Sequence, residues 1–249
     1  MKKFSILTPT FNSPHLIDAF IRSFEIFCPK DVECHYVVVE NSDINDYKDH
    51  VLTLAENITW IQNPIKEINS EANGIGVIRG LKAVEDDFVF VAHCDVCVTS
   101  KRFFEEMFEK RSQGFKLIGT VLDPGRINAV HISGFYVDTN LLRTTDIMPA
   151  YKSGKQIMDV GDSVTQRCVN ENIPYFCFRN TFNSPELVDD IDEKFNLFHV
   201  DRCLDTNNNI MFMHLGRGIP KTQNSYSKPN RVYLPQWYDF CDRLIRENK

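Results

Sequence analysis

No stretch of the 249 residues approaches the ~18 consecutive apolar positions that a membrane-spanning helix needs, so no such helix is expected. Positive charge is not in excess either. Lys and Arg number 28 against 34 Asp and Glu, a net charge of −6. Broad nucleic-acid binding calls for a basic surface and is not expected here. Internal repeats and low-complexity tracts are also missing. The opening "MKKFSILTPTFNSP" has the two lysines of a secretion signal, but Thr8, Pro9, Thr10 and Asn12 break its apolar run at once. A cytoplasmic protein is therefore expected. Cys94 and Cys97 form a C-x-x-C, yet no second pair at matching spacing completes a zinc site. The flanks lack the helix start of a redox pair. The eight cysteines are read as free thiols that act mostly as small hydrophobes.

Hydrophobic residues make up 43% of the chain, enough for a substantial core. They fall into short apolar runs that alternate with amphipathic ones. "FSILTP", "CHYVVVEN", "ITWIQN" and "DFVFVAH" read as strands. Between them, residues 13–27, 44–57 and 74–84 read as helices. Leu16, Ile17, Phe20, Ile21, Phe24 and Phe27 share one face of the first. This alternation predicts an α/β protein with a doubly wound, mostly parallel sheet flanked by helices. Later, 101–111 reads as a helix, 115–123 and 129–140 as strands, and 159–172 as a helix with Asp159 as its N-cap. Residues 174–179 and 209–216 read as strands, and 235–248 as a terminal helix. The stretches 184–195 and 217–231 read as loops or lids.

In such sheets, ligands bind beyond the carboxyl ends of the strands. Those ends carry Thr8-Pro9-Thr10-Phe11-Asn12, Glu40-Asn41-Ser42-Asp43 and His93-Cys94-Asp95. Asp95 has the chemistry of an oxygen ligand for Mg²⁺ or Mn²⁺, although an aspartate at a strand end also serves as a plain loop cap. His214, at the end of another apolar run, is a candidate imidazole ligand if it lies near Asp95. Asp159 and Asp162 suit a helix start and also suit a general base.

Taken in order, these stretches resemble the family 2 glycosyltransferases of the GT-A fold. "SILTPTFNSPHLIDAFIRSF" is similar to the opening strand and helix, and "VVVENSD" to the second strand. "GIGVIRGLKAVEDDFVFVAHCDVCVTSKRFFEEM" is similar to the Gly-rich helix and the strand bearing the metal-binding D-x-D. "DVGDSVTQRCVNENIPYF" resembles the helix that carries the catalytic acid, and "FMHLGRG" the late metal-ligating histidine. Two departures stand out. The D-x-D reads His93-Cys94-Asp95, so a histidine replaces the first acid. The usual Glu-Asp pair is absent, and Asp159 and Asp162 straddle its position.

The resemblance implies a GT-A domain over 1–218 and a C-terminal lid and helix, 219–249, packed on it. It implies an inverting transfer of sugar from a nucleotide sugar, with UDP favoured, to a hydroxyl of a glycan or lipid-linked acceptor. Thr8, Pro9, Thr10, Phe11, Asn12, Glu40 and Asn41 would hold the nucleotide, with Glu40 accepting an N–H of the base. Arg79, His93, Cys94 and Arg217 would face ribose or phosphate. Asp95 and His214 would hold Mn²⁺ or Mg²⁺, and Asp159 or Asp162 would be the base. The basic tail implies either a diphosphate clamp through Arg217 and Lys221 or contact with anionic lipid at the inner face of a membrane. A non-catalytic nucleotide-sugar binder is the alternative reading. A nucleotidyltransferase ranks lower, because "TPTFNSPH" lacks the glycines and basic side chains of its phosphate loop.

Overall fold

Strand β1 (Lys2–Thr10) is the axis on which the chain is wound. It pairs in parallel with β2 (Val32–Glu40) on one side and β4 (Phe88–Ala92) on the other. The computed structural model describes residues 1–66, 69–123, 127–181, 184–188, 200–215 and 234–249. Beyond β2 lies β3 (Ile58–Gln62), and beyond β4 come β7 (Ala129–Asp138), β6 (Leu117–Asp123) and β10 (Tyr175–Phe178). The sheet order is β10-β6-β7-β4-β1-β2-β3. Strand β7 alone runs against the others, between β4 and β6. The expected mostly parallel α/β sheet is thus present.

Alternation along the strands assigns the two faces. Phe4, Ile6, Tyr36, Val38 and Phe90 join one core with α1 (Pro14–Phe27), α4 (Arg102–Ser112) and α7 (Leu234–Glu247). Leu7, Val37, Val39, Val89 and Val91 join the other with α3 (Ser70–Leu81), α5 (Thr139–Arg143) and α6 (Asp162–Glu171). The six apolar residues expected on one face of α1 are all buried. Phe4, Phe24, Phe90, Phe103 and Phe104 pack ring on ring, each worth about 1.5–3 kcal/mol of burial. Gly80 brings α3 onto the sheet. A Cβ there would stand 2.2 Å from Leu7 Cδ1 and 2.9 Å from Val39 Cγ2.

A second sheet, β11-β12-β5, joins β5 (Val96–Val98) antiparallel to β12 (Ile210–His214), and β12 to β11 (Asp201–Leu204). A separate hairpin pairs β8 (Ala150–Lys152) with β9 (Lys155–Met158).

Three expected boundaries move. The helix read over 44–57 is confined to α2 (Lys48–Val51), because Ser42 and the polar residues after it turn the chain first. The helix read from 74 starts at Ser70, where the Asn69 side chain accepts the N–H of Ala72. The helix read from Asp159 starts at Asp162. Its N-cap is Gly161 at φ 82°, a left-handed conformation that glycine adopts without strain, so Asp159 caps nothing. The expected strand over 209–216 and terminal helix over 235–248 correspond to β12 and α7. Most of the expected lid, residues 219–233, lies outside the described residues, as do Gly216, Arg217 and Gly218.

Candidate active site

The carboxyl ends of β1, β2 and β4 open on one side of the sheet. After β4 the chain turns sharply, with the Val96 N–H donating to the His93 carbonyl at 3.2 Å. Strand register then fixes the partners. His214 pairs with Val96 across β12–β5 and with Asp201 across β12–β11, and the Leu215 N–H donates to the Asp95 carbonyl at 3.0 Å. Asp95 and His214, expected to converge, therefore do so. His214 Nε2 lies 3.4 Å from Asp95 Oδ1, and Nδ1 lies 3.4 Å from Asp201 Oδ2. His93 joins them, its ring centroid 5.5 Å from that of His214. One ligand atom each from His93, Asp95 and His214 lie within 4.8 Å of one another.

Electrostatics separates the two imidazoles. Burial pulls the His93 pKa down to about 3, against the opposing pull of Asp95, so this ring is neutral. Burial also works against charge on His214, but the Asp95 and Asp201 carboxylates outweigh it and hold its pKa at about 10. Without a metal, His214 carries a proton and sits as a cation between the two acids. Two imidazoles and a carboxylate converging on one point form a donor set suited to a divalent transition ion such as Mn²⁺. Such an ion would take the place of that proton.

A second pair stands beside the first. His131, near the start of β7, packs edge-on against His93 with centroids 5.8 Å apart. Its Nδ1 accepts the Ser133 N–H at 3.1 Å, which leaves the proton of the neutral ring on Nε2. That nitrogen faces Asp159 Oδ2 at 3.8 Å. Asp159 Oδ1 accepts from the Val160 N–H at 2.8 Å and from Gln156 Nε2 at 3.0 Å. Burial alone would raise this carboxyl, but His131 and these donors hold it well below the usual carboxylate range. Asp162 is different. It is fully buried and accepts the Asp159 N–H at 2.7 Å, so it fixes the loop that carries Asp159.

The expected nucleotide residues have mixed placements. The side chains of Thr8 and Thr10 are buried, Pro9 is buried, Phe11 is half-buried and Asn12 is exposed at φ 40°. Glu40 is expected to meet the base directly, but its side chain is fully buried and engaged within the protein. Its Oε1 accepts the N–H groups of Asn12 (3.0 Å) and Ser42 (2.7 Å), and its Oε2 accepts the Tyr47 hydroxyl. Glu40 thus shapes the β1 turn from behind. Asn41 donates to the Ala72 carbonyl at 3.2 Å and ties β2 to α3. Arg79 is exposed on α3. Cys94 is buried in the α1-side core, and burial pushes its thiol up. The role expected of Arg217 lies outside the described residues.

None of the family models matches the sequence, and no curated protein does. Solved structures match in shape. Over 70% of this chain and 54% of its own, the mannosyltransferase PcManGT from Pyrobaculum calidifontis, in complex with GDP-Man and Mn²⁺, superposes with a TM-score of 0.51 at 14% identity. The protein has the GT-A fold. Glucosyl-3-phosphoglycerate synthase from Mycobacterium tuberculosis, in complex with phosphoglyceric acid, gives 0.48 at 14% identity over 71% of this GT-A chain and 70% of that one. S. aureus TarS 1-349 in complex with UDP-GlcNAc gives 0.46 at 19% identity over 66% and 51%. The GT-A chain thus spans about half the length of the mannosyltransferase and of TarS 1-349.

His131, Ser133, Asp201 and Gln156 were not expected at the site. His131 is hidden because only the reversed direction of β7 brings "AVHISG" to the carboxyl end of β4. Asp201 is hidden because its strand is four residues long.

Proposed function

We propose that the protein is a glycosyltransferase that moves a sugar from a nucleoside-diphosphate sugar to an acceptor hydroxyl with inversion at the anomeric carbon. One observation carries this reading. The His93, Asp95 and His214 cluster and the Asp159 carboxylate lie side by side at the carboxyl ends of the strands in a GT-A fold.

Asp159 takes the proton of the acceptor hydroxyl. The freed oxygen forms its bond to the anomeric carbon while the bond from that carbon to the diphosphate oxygen breaks. The nucleoside diphosphate leaves with the electron pair. His131 holds Asp159 in place through its protonated Nε2 and keeps the carboxylate ionised at neutral pH. Asp162 anchors the backbone of the same loop. Glu40 sets the turn after β1 against which the nucleotide rests. His93, Asp95 and His214 would hold Mn²⁺ or a similar ion, which when bound supplies charge compensation for the diphosphate leaving group. Holding donor and acceptor in line supplies much of the rate.

The test is the thermal stability of the purified protein with UDP, GDP, dTDP or CMP, each with and without Mn²⁺. A nucleotide at a hundred times its dissociation constant adds about 2.7 kcal/mol. For a chain of this size that raises the melting temperature by about 5–10 °C. A metal-dependent rise with one nucleotide supports the reading and names the donor class, UDP being the first expectation. No rise with any nucleotide overturns it. A rise without transfer to any acceptor would instead favour a non-catalytic nucleotide-sugar binder.

A further inference from the structure

The β8–β9 hairpin leads directly into the loop that bears Asp159, and the main sheet does not include it. An isolated two-stranded ribbon is marginal in water, so its shape must be set by its turn and its anchors. The turn is two residues long, Ser153 at φ 51° and Gly154 at φ 74°. Both central residues are left-handed, which is the tight hairpin geometry that gives the flanking strands no freedom to splay. That geometry sets Lys152 directly opposite Lys155. Both are exposed. Like charges directly opposite destabilise a ribbon. One step further in, Tyr151 pairs with Gln156. Tyr151 is 55% exposed, unusual for a large aromatic side chain, and Gln156 donates to Asp159 Oδ1 at 3.0 Å. Gln156 thus adjoins the carboxylate, Tyr151 stands across the ribbon from Gln156, and a paired positive charge stands one position nearer the tip, on the opposite face of the ribbon.

The geometry points to the β8–β9 hairpin as the acceptor-binding element, with Lys152 and Lys155 recognising a phosphate group on the acceptor. This deepens the glycosyl-transfer reading and rests on it. Two adjacent ammonium groups suit a doubly charged phosphate better than a single carboxylate, and a bound phosphate removes the repulsion between them. In a chain of net charge −6, attraction of an anion must be local. Strand rise places Lys155 about 13 Å from Asp159 along the chain. The phosphate is therefore remote from the attacked hydroxyl and serves recognition at the tip, while Gln156, bonded to Asp159 Oδ1, ties the base of the hairpin to the reacting end.

The experiment uses the full chain and its K152Q/K155Q variant. The probes are glucose 6-phosphate against glucose, by calorimetry, and phosphatidylcholine vesicles with and without a polyprenyl phosphate, by sedimentation. The expected result is binding of a phosphate-bearing probe by the wild type, weakened roughly tenfold or more in the variant at unchanged melting temperature. Binding of glucose 6-phosphate would identify a soluble phosphorylated acceptor. Binding of the doped vesicles alone would identify a lipid phosphate. Equal affinity in the variant, or no phosphate probe bound by the wild type, overturns the proposal. The nucleotide melting experiment separates the two claims. A nucleotide shift with no lysine-dependent phosphate binding leaves glycosyl transfer standing and removes this site. Lysine-dependent phosphate binding with no nucleotide shift does the reverse.

Discussion

Replacing Glu40 tests whether this residue touches the nucleotide or only shapes its seat. Its carboxylate is fully buried and accepts from the Asn12 N–H, the Ser42 N–H and the Tyr47 hydroxyl. In Glu40→Gln, the amide oxygen can keep both backbone bonds while the amide nitrogen faces the Tyr47 oxygen, which can turn to accept. Each bond loses about 1 kcal/mol when its acceptor becomes neutral. No longer burying an anion returns part of this, leaving a net loss of about 1–2 kcal/mol. Glu40→Ala strands the buried Ser42 N–H and Tyr47 hydroxyl, releases the Asn12 N–H and opens a cavity, a loss of about 3–5 kcal/mol. At about 2–4 °C per kcal/mol, Glu40→Gln should lower the melting temperature by about 2–8 °C, and Glu40→Ala by clearly more. Scanning calorimetry and urea unfolding read this directly. Glu40→Ala should weaken UDP and GDP alike, because the turn at Asn12 loses its anchor, whereas Glu40→Gln, which keeps both backbone bonds, should change either little. An alanine variant as stable as wild type, or a glutamine variant that loses UDP alone, would refute the positioning role.

Asp159→Asn should lower turnover by about a hundredfold to ten-thousandfold, far beyond the loss of stability that its depressed carboxyl also predicts. Asp162→Asn should chiefly destabilise, since its acceptor role is internal, and steady-state kinetics beside calorimetry separates the two. His93→Asp replaces a nitrogen donor by oxygen and should shift metal preference from Mn²⁺ toward Mg²⁺, read by titration calorimetry. The folded pKa of His214, about 10, lies above its ordinary 6.5. In chelator its contribution to stability should therefore be complete below pH 6.5 and fade as pH rises toward 10, an effect that Asp95→Asn removes in urea unfolding. Mn²⁺ binding should move the other way, tightening about tenfold per pH unit through the same window.

The sequence made the sheet legible because its signals are local. The continuous apolar run in "CHYVVVE" and the apolar face of residues 14–27 need no knowledge of the rest of the chain. Asp95 and His214 could be named because each ends an apolar run. What escaped depends on direction and register. The reversal of β7 brings His131 beside Asp159, and the pairing of a four-residue strand brings Asp201 beside His214. Glu40 was named for its position, but its role depends on Tyr47, seven residues on, whose hydroxyl helps occupy the carboxylate. Asp159 was misjudged as a cap because Gly161, with its left-handed backbone, starts the helix instead.

The pairing of β12 with β5 has a consequence for the newly made chain. Asp95 and His214 lie almost half the sequence apart, and this short ribbon unites them. At about 5–20 residues per second, roughly ten seconds pass on the ribosome between the emergence of one and the other. Until β12 docks, the nascent chain has His93 and Asp95 but lacks the third member of the cluster, so it would not compete for metal on equal terms. In the proposed function the same ribbon would couple an ion to the chain. A cation bound across it would pin β12 against β5, and removing the cation should speed amide exchange first in β11 and β12, while β1 and β4 stay protected.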